Sequence, residues 1–299
     1  MDRILFIRFS SLGDAILTTG IIRHFEGAHI LTYAEFAPVW QGIVPTDNIH
    51  TIPRGMKLAD YIKFLRTMPE FDYIFDLHAN TRSAIARKLI SGKAYKYKKQ
   101  SACRRLYVKF HACSSALKRH TVQKYAEAVF PALNLPIPPM EELRPYLGIN
   151  AATDPLKIVI HPYASKFTKE WKHFPILAER LSKLGYNVVV VGNGALSKKT
   201  TLTELFDIMS DASLVISTDS GPMHIAVALN RKVVAIFGST TKEFGFYPEF
   251  SGCTVIERDD VKCRPCHVHG QKACPKGHFD CMNISVESVL EAACRMIKD

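Results

Sequence analysis

S-T-D-S-G-P-M-H-I-A-V-A-L-N-R-K-V-V-A-I-F-G-S-T, residues Ser217 to Thr240, reads as a strand end, a polar turn, a short helix and a second buried strand. The apolar run Leu214–Ser217 leads in, the helix spans Pro222–Leu229, and Val233–Phe237 is the second strand. Pro222 suits the first helical position, with Ser220 or Asp219 capping in front of it. A helix opening this way aims its unpaired amides out of the C-terminal edge of a parallel sheet. Such an edge stabilises anions, and Gly221 lets one approach the backbone closely. The stretch therefore predicts a phosphorylated ligand here. Many α/β proteins use Asp-Ser-Gly-Pro only to turn a strand into a helix; His224, four residues after Ser220, is not required by a simple cap.

Working outward, apolar strands alternate with amphipathic helices. Strands are expected at Ile4–Arg8, His29–Tyr33, Ile49–Ile52, Tyr73–Asp76, Ile158–His161, Val188–Val191, Leu214–Ser217, Val233–Phe237 and Thr254–Ile256. Helices are expected at Asp14–Phe25, Lys57–Met68, Arg82–Ile90, Val122–Phe130, Phe174–Leu184, Leu202–Met209, Pro222–Leu229 and Val286–Ile297. That order predicts an α/β protein with two doubly wound parallel sheets. Between them, the proline-rich, aperiodic stretch Leu135–Pro155 reads as an interdomain linker. The basic stretch Lys93–Lys109 reads as a nucleic-acid patch, a solvated loop or an acceptor-facing wall.

The 299 residues suffice for two domains with their own cores, and 47% apolar content is ordinary for a globular chain. No apolar run approaches a membrane span, and Arg8 interrupts the one N-terminal stretch that could begin one. Eight cysteines in a long, core-rich chain point to a reducing cytoplasm rather than a disulfide scaffold. The net charge of +11 draws the surface toward nucleic acid, anionic lipid or a phosphorylated glycolipid, without choosing among them.

Four ordered segments resemble glycosyltransferase family 9, the ADP-heptose:lipopolysaccharide heptosyltransferases. They are I-L-F-I-R-F-S-S-L-G-D-A-I-L-T-T (Ile4–Thr19), I-H-P-Y-A-S-K-F-T-K-E-W (Ile160–Trp171), the D-S-G-P-x-H turn, and C-R-P-C followed by A-C-P-K-G-H-F-D-C-M. The resemblance implies a GT-B arrangement, two Rossmann-like parallel-sheet domains facing a central cleft. Residues 1–145 would bind the acceptor and 146–285 the nucleotide sugar, with the last helix, 286–299, crossing back to the first domain. It also implies inverting transfer of a heptose from ADP-heptose to a Kdo or heptose of the lipopolysaccharide inner core, without a catalytic metal. The expected setting is cytoplasmic, peripheral at the anionic inner membrane, with no nucleic acid partner.

Such transfer needs a base for the acceptor hydroxyl and positive charge for the departing diphosphate. Asp14 matches the family's Ser-Ser-Leu-Gly-Asp aspartate, to which the base role falls; otherwise it only complements its own helix N-terminus. Lys169, two residues before Trp171, matches the lysine that contacts the nucleotide phosphates. For the donor, Ser165 and Thr168 are candidates for hydroxyl donation to phosphate or for ordinary turn chemistry. Ser220 and Gly221 are candidates for amide donation, and Asp219 for holding sugar hydroxyls, since a carboxylate repels phosphate. His224 is expected to contact phosphate or to pack against Trp171. On the acceptor side, His78, Asn80 and Arg82 follow a strand end, and Arg82 could fork onto a phosphate or carboxylate; the plain alternative is a capped helix with a solvated arginine.

Cys263, Cys266, Cys274 and Cys281, with nearby histidines, suggest either a structural zinc or a tied-down surface loop of reduced thiols. Against its relatives, the chain is short over Gly192–Thr200, a region that often contacts the nucleotide; Glu204 is a candidate to approach the base, which nothing in the sequence establishes. Two rivals remain: another GT-B enzyme with a different nucleotide sugar, and a non-enzymatic basic module for nucleic acid or anionic lipid.

Overall fold

The computed structural model describes residues 2–112, 114–192 and 200–298. They form two compact units, one of residues 1–99 and 121–148, the other of residues 100–120 and 149–299. The sequence reading sets its boundary after residue 145. The segment 100–120 and the terminal helix, however, both group with the second unit.

In chain order the first half contributes β1 (Ile4–Ile7), α1 (Leu12–Ile22), β2 (His29–Tyr33), β3 (Ile49–Ile52), α2 (Leu58–Arg66), β4 (Tyr73–Asp76), α3 (Thr81–Leu89), β5 (Lys93–Lys96), α4 (Ser101–Phe110) and α5 (Thr121–Val129). The second half contributes β6 (Asp154–His161), α6 (Phe174–Lys183), β7 (Asn187–Val190), α7 (Leu202–Ser210), β8 (Ala212–Thr218), α8 (Gly221–Ala228), β9 (Lys232–Phe237), β10 (Cys253–Glu257) and α9 (Val286–Lys298).

Each unit holds one five-stranded sheet, ordered β3-β2-β1-β4-β5 in the first and β10-β9-β8-β6-β7 in the second, with every pairing parallel. The first order is the Rossmann one and the second the flavodoxin-like one. Each reverses at a single switch point, β1/β4 in the first sheet and β6/β8 in the second. At such a point the two following loops leave toward opposite faces, so a crevice opens between them. The central strands are continuous apolar runs because helices cover both faces. Leu5, Ile7, Leu31 and Ile74 centre the first core; Ile158, Ile160, Leu214, Ile216, Val234 and Ile236 centre the second.

Two elements of the basic stretch were not expected. β5 is an exposed edge strand whose register sets Tyr95 beside Phe75, with rings 5.6 Å apart. An edge strand studded with lysines needs no apolar run, which hides it from periodicity. α4 is the other. Part of the supposed linker is packed: Leu143 and Arg144 are buried, and their backbone lies so close to Gly20 of α1 that a side chain there would overlap it.

α9 sets Val286, Val289, Ala292 and Ala293 against β8, β9, β10 and α6. It covers the second unit's own sheet, where the sequence reading sent it to the first domain; its apolar stripe is matched by that core. The shortened 192–200 crossover lies outside the described residues apart from its two ends.

Candidate functional site

Strand β1 is wholly apolar until Arg8, a guanidinium only 4% exposed. A buried charge persists only when paired and hydrogen-bonded. Its Nη2 lies 2.6 Å from Asp14 Oδ2, and Nη1 donates to Tyr125 Oη at 2.9 Å and to the Leu77 carbonyl. Burial opposes the arginine's charge, yet the field of Asp14 and neighbouring tyrosines raises its pKa overall, so it stays cationic.

Asp14 sits in the first turn of α1, 21% exposed at its side chain, and accepts further bonds from Ser11 Oγ (2.9 Å) and Tyr125 Oη (3.3 Å). The carboxylate is thus fixed in direction while staying partly exposed, which suits a base. Arg8 and Tyr125 were missed in the sequence. The one available signal was a charge ending an otherwise apolar strand.

Across the β1/β4 switch, Asp76 is fully buried. It accepts from the amides of His78 (3.0 Å) and Ala79 (2.7 Å), from Ser83 Oγ (2.9 Å) and from Arg87 Nε (2.9 Å). These bonds fix the turn that presents His78. Burial, then the charges of Arg8 and Lys99, push the His78 pKa down to about 4, so its ring is neutral, and its buried Nδ1 has no hydrogen-bond partner.

The other two acceptor candidates are committed elsewhere. Asn80 caps α3, its Oδ1 accepting from Ser83 N at 2.8 Å within a reciprocal capping box. Arg82 lies over the Tyr61 ring at 4.8 Å and donates to the Met56 (2.5 Å) and Arg54 (3.4 Å) carbonyls. Arg82 is neither simply solvated nor presented as an open fork.

At the β6/β8 switch of the second sheet, Lys169 Nζ lies 2.7 Å from Asp219 Oδ2, with side chains 13% and 10% exposed. Thr240 Oγ1 donates to the same oxygen at 2.6 Å. Asp219 therefore holds Lys169 beside the start of α8, which begins at Gly221 with Pro222 in its first turn, as expected. Ser220 makes no side-chain cap. Its hydroxyl turns back to Ser217 Oγ (3.2 Å) and His161 Nδ1 (3.5 Å). Burial lowers the His161 pKa to about 4. His224 is buried and packs edge-on to Phe246, 6.4 Å between centroids, while Trp171 packs on Phe174 and donates to the Ile284 carbonyl.

Of the two roles open to Thr168, its hydrogen bonds match local turn chemistry. Its buried hydroxyl donates to the Gln271 carbonyl (3.2 Å) and accepts from Gln271 N (2.7 Å) and Ser239 Oγ (3.1 Å). A hydroxyl has one donor and two acceptor sites, so nothing remains for a phosphate. Ser165, by contrast, is exposed on the same loop. Glu204 closes a capping box with Thr201 rather than reaching toward a base.

The cysteine-bearing loop is the partner of that clamp. Gly270 is left-handed (φ 78°), and a side chain there would meet the Lys169 methylenes at 2.9 Å. Cys266 N donates to the Ser239 carbonyl (3.3 Å), and buried Arg264 donates to the carbonyls of Gly238, Thr240 (2.9 Å) and Arg258 (2.7 Å) while pairing with Glu257 (2.5 Å). The loop thereby fastens the Lys169 turn to the turn after β9. Burial pushes the Cys281 thiol up to about 11. Cys263 Sγ lies 3.8 Å from His278 Nε2, and among the described residues no three His, Cys, Asp or Glu side chains are grouped to hold a metal ion.

Both constellations occupy switch points, the usual ligand positions of open α/β sheets. The family model for glycosyltransferase family 9 (heptosyltransferase) matches residues 61–198 and 193–275. The chain belongs to this family. Among curated relatives, lipooligosaccharide heptosyltransferase 2 of Campylobacter jejuni is 36% identical over 105 residues, 35% of this chain and 32% of the relative. The match thus spans about a third of that relative's length. Lipopolysaccharide heptosyltransferase 1 of Pseudomonas aeruginosa is 24% identical across 88% of this chain and 86% of its own. The solved structure of E. coli ADP-heptose lps heptosyltransferase II has a TM-score of 0.71 at 19% identity, covering 99% of this chain and 98% of that one. E. coli heptosyltransferase WaaC with ADP-2-deoxy-2-fluoro heptose has a TM-score of 0.68 at 17% identity, covering 98% and 99%. At those identities the structures establish the fold, the GT-B-like pair of parallel-sheet units. The family 9 match extends the likeness to the chain's class, the glycosyltransferases.

Proposed function

We propose that this family 9 glycosyltransferase moves a heptose from ADP-heptose to a Kdo or heptose of a lipopolysaccharide inner core, with inversion at the sugar carbon. The carrying observation is the pairing of chemistries at the two switch points. One holds a carboxylate fixed by Arg8, Ser11 and Tyr125; the other holds an ammonium fixed by Asp219 at a helix start. Its heptosyltransferase relatives, and the ADP-linked fluoro-heptose that accompanies WaaC, support the choice of donor.

In this reading the acceptor hydroxyl oxygen attacks the heptose C1 as Asp14 takes its proton. The bond from C1 to the β-phosphate oxygen breaks, and ADP leaves with the electron pair. Lys169 has three N–H donors, of which Asp219 takes one, so the others serve the diphosphate oxygens. The first amides of α8, from Ser220 and Gly221 onward, add the dipole's positive end. His161 stays neutral beside Ser220, and Asp219 is the residue assigned to the donor sugar's hydroxyls. On the acceptor side His78 is the residue with a ring nitrogen to offer. The enzyme works in the cytoplasm, at the inner membrane face where its lipid-linked acceptor lies.

Incubation with ADP-heptose and a Kdo-terminated truncated core is expected to release ADP only when both are present. Release solely with another nucleotide sugar would assign a different donor.

A further inference from the structure

The positive charge of this chain is concentrated. Between Ser91 and His120 there are nine lysines and arginines and no aspartate or glutamate; without that stretch the chain, with 39 basic and 28 acidic residues in all, would be almost neutral. Its centre is α4, S-A-C-R-R-L-Y-V-K-F. One face fastens the helix down: Arg104 Nη2 donates to the Phe244 carbonyl at 2.8 Å with its guanidinium 5.0 Å from the Phe246 ring, and Tyr107 meets Phe244 edge-on. The opposite face, Ala102, Arg105, Leu106, Lys109 and Phe110, is exposed throughout. Those positions follow the i, i+3, i+4, i+7, i+8 pattern and form one stripe. Leu106 is 42% and Phe110 62% exposed.

We propose that this stripe docks the protein on an anionic phospholipid surface, Leu106 and Phe110 entering the headgroup boundary while Arg105 and Lys109 contact lipid phosphates. Charge complementarity selects the occupant: cations flank two large apolar side chains with no acid to repel lipid phosphate, the composition of a helix lying in the interface plane. A protein partner fits less well, because lysine is depleted at such interfaces. Nucleic acid would use the cations but leave Leu106 without a role. The stripe stands whatever sugar the chain transfers.

The test is sedimentation of the full chain with vesicles of phosphatidylcholine alone or with one quarter phosphatidylglycerol. Binding is expected only to the anionic vesicles. Each cation is worth about fivefold in partition, so Arg105→Glu/Lys109→Glu should lose at least tenfold. Leu106→Ser/Phe110→Ser should keep low-salt binding but be released at physiological salt. Lys183→Glu, on α6, is the control for net charge, and unchanged thermal melting shows that each variant is folded. The proposal is overturned by absent binding to anionic vesicles, by a loss in Lys183→Glu as large per charge changed as that in Arg105→Glu/Lys109→Glu, or by preferential binding of a single-stranded oligonucleotide.

Discussion

Replacing Lys169 with methionine keeps an unbranched apolar stem of the same reach against Gly270, with sulfur in place of one methylene, and removes the ammonium. The Lys169–Asp219 pair is 2.7 Å long and its side chains are 13% and 10% exposed, so little water is available to replace the lost partner. Stripping one member from a buried pair costs about 3–5 kcal/mol; because Thr240 still donates to Asp219, the lower end, about 3 kcal/mol, is expected. Asp219→Asn should cost less, about 1–2 kcal/mol, since the released lysine can reach solvent along its flexible stem. The double variant should then fall short of the summed losses by about 2 kcal/mol, the coupling that neighbours in contact display. Urea denaturation of the four proteins reads this cycle.

Calorimetric titration with ADP separates structure from function. A charged donor lost from a bound phosphate weakens ADP about 10–100-fold. That loss should appear in Lys169→Met and persist in the double variant, whose stability has partly recovered, whereas Asp219→Asn should bind ADP at least as well as wild type. Unchanged ADP affinity in Lys169→Met would reduce Lys169 to a structural partner of Asp219, and the proposed leaving-group role would fail.

Asp14→Asn is expected to lower turnover by about 10³-fold with ADP affinity intact; wild-type turnover would exclude Asp14 as the base. Tyr125→Phe removes one bond to Arg8 and one to Asp14 and should cost about 1–2 kcal/mol in denaturation, with a partial loss of turnover. Thr168→Val, nearly isosteric, strands the Gln271 amide and should speed its hydrogen exchange while weakening ADP binding, measured by exchange mass spectrometry and titration. Both His78 and His161 have folded pKa values of about 4 against an ordinary 6.5. The unfolded chain therefore binds more protons between those values, so stability is full above pH 6.5 and is lost as pH falls toward 4. Denaturation midpoints should follow that slope, and His161→Gln should flatten it.

Reading the chain from Ser217 to Thr240 located a strand, a turn and a helix within a residue or two, because buried parallel strands are continuous apolar runs and Pro222 fixes where the helix starts. The same logic found the other central strands. It failed at β5 and α4, where lysines and arginines on an edge strand and an exposed helix leave no apolar run to see. It left Thr168 and Asn80 undecided between ligand contact and local turn or cap chemistry; their side chains are bonded to partners 103 and 3 residues away. A hydroxyl or amide in a turn looks the same in sequence whether it faces a ligand or its own backbone.

Sequence alone determined the alternation of strands and helices, the turn from strand to helix at Asp-Ser-Gly-Pro, and the family resemblance carried by the Ser-Ser-Leu-Gly-Asp segment, the Lys169 segment, that turn and the cysteine loop. Tertiary structure decided the strand orders, the switch points and the pairings Arg8–Asp14 and Lys169–Asp219. Local propensity and hydrophobic period act over a few residues and so survive in the linear text. Pairings between groups as far apart as Asp14 and Tyr125 exist only once the sheets have closed, because burial alone makes an unpaired charge too costly to keep.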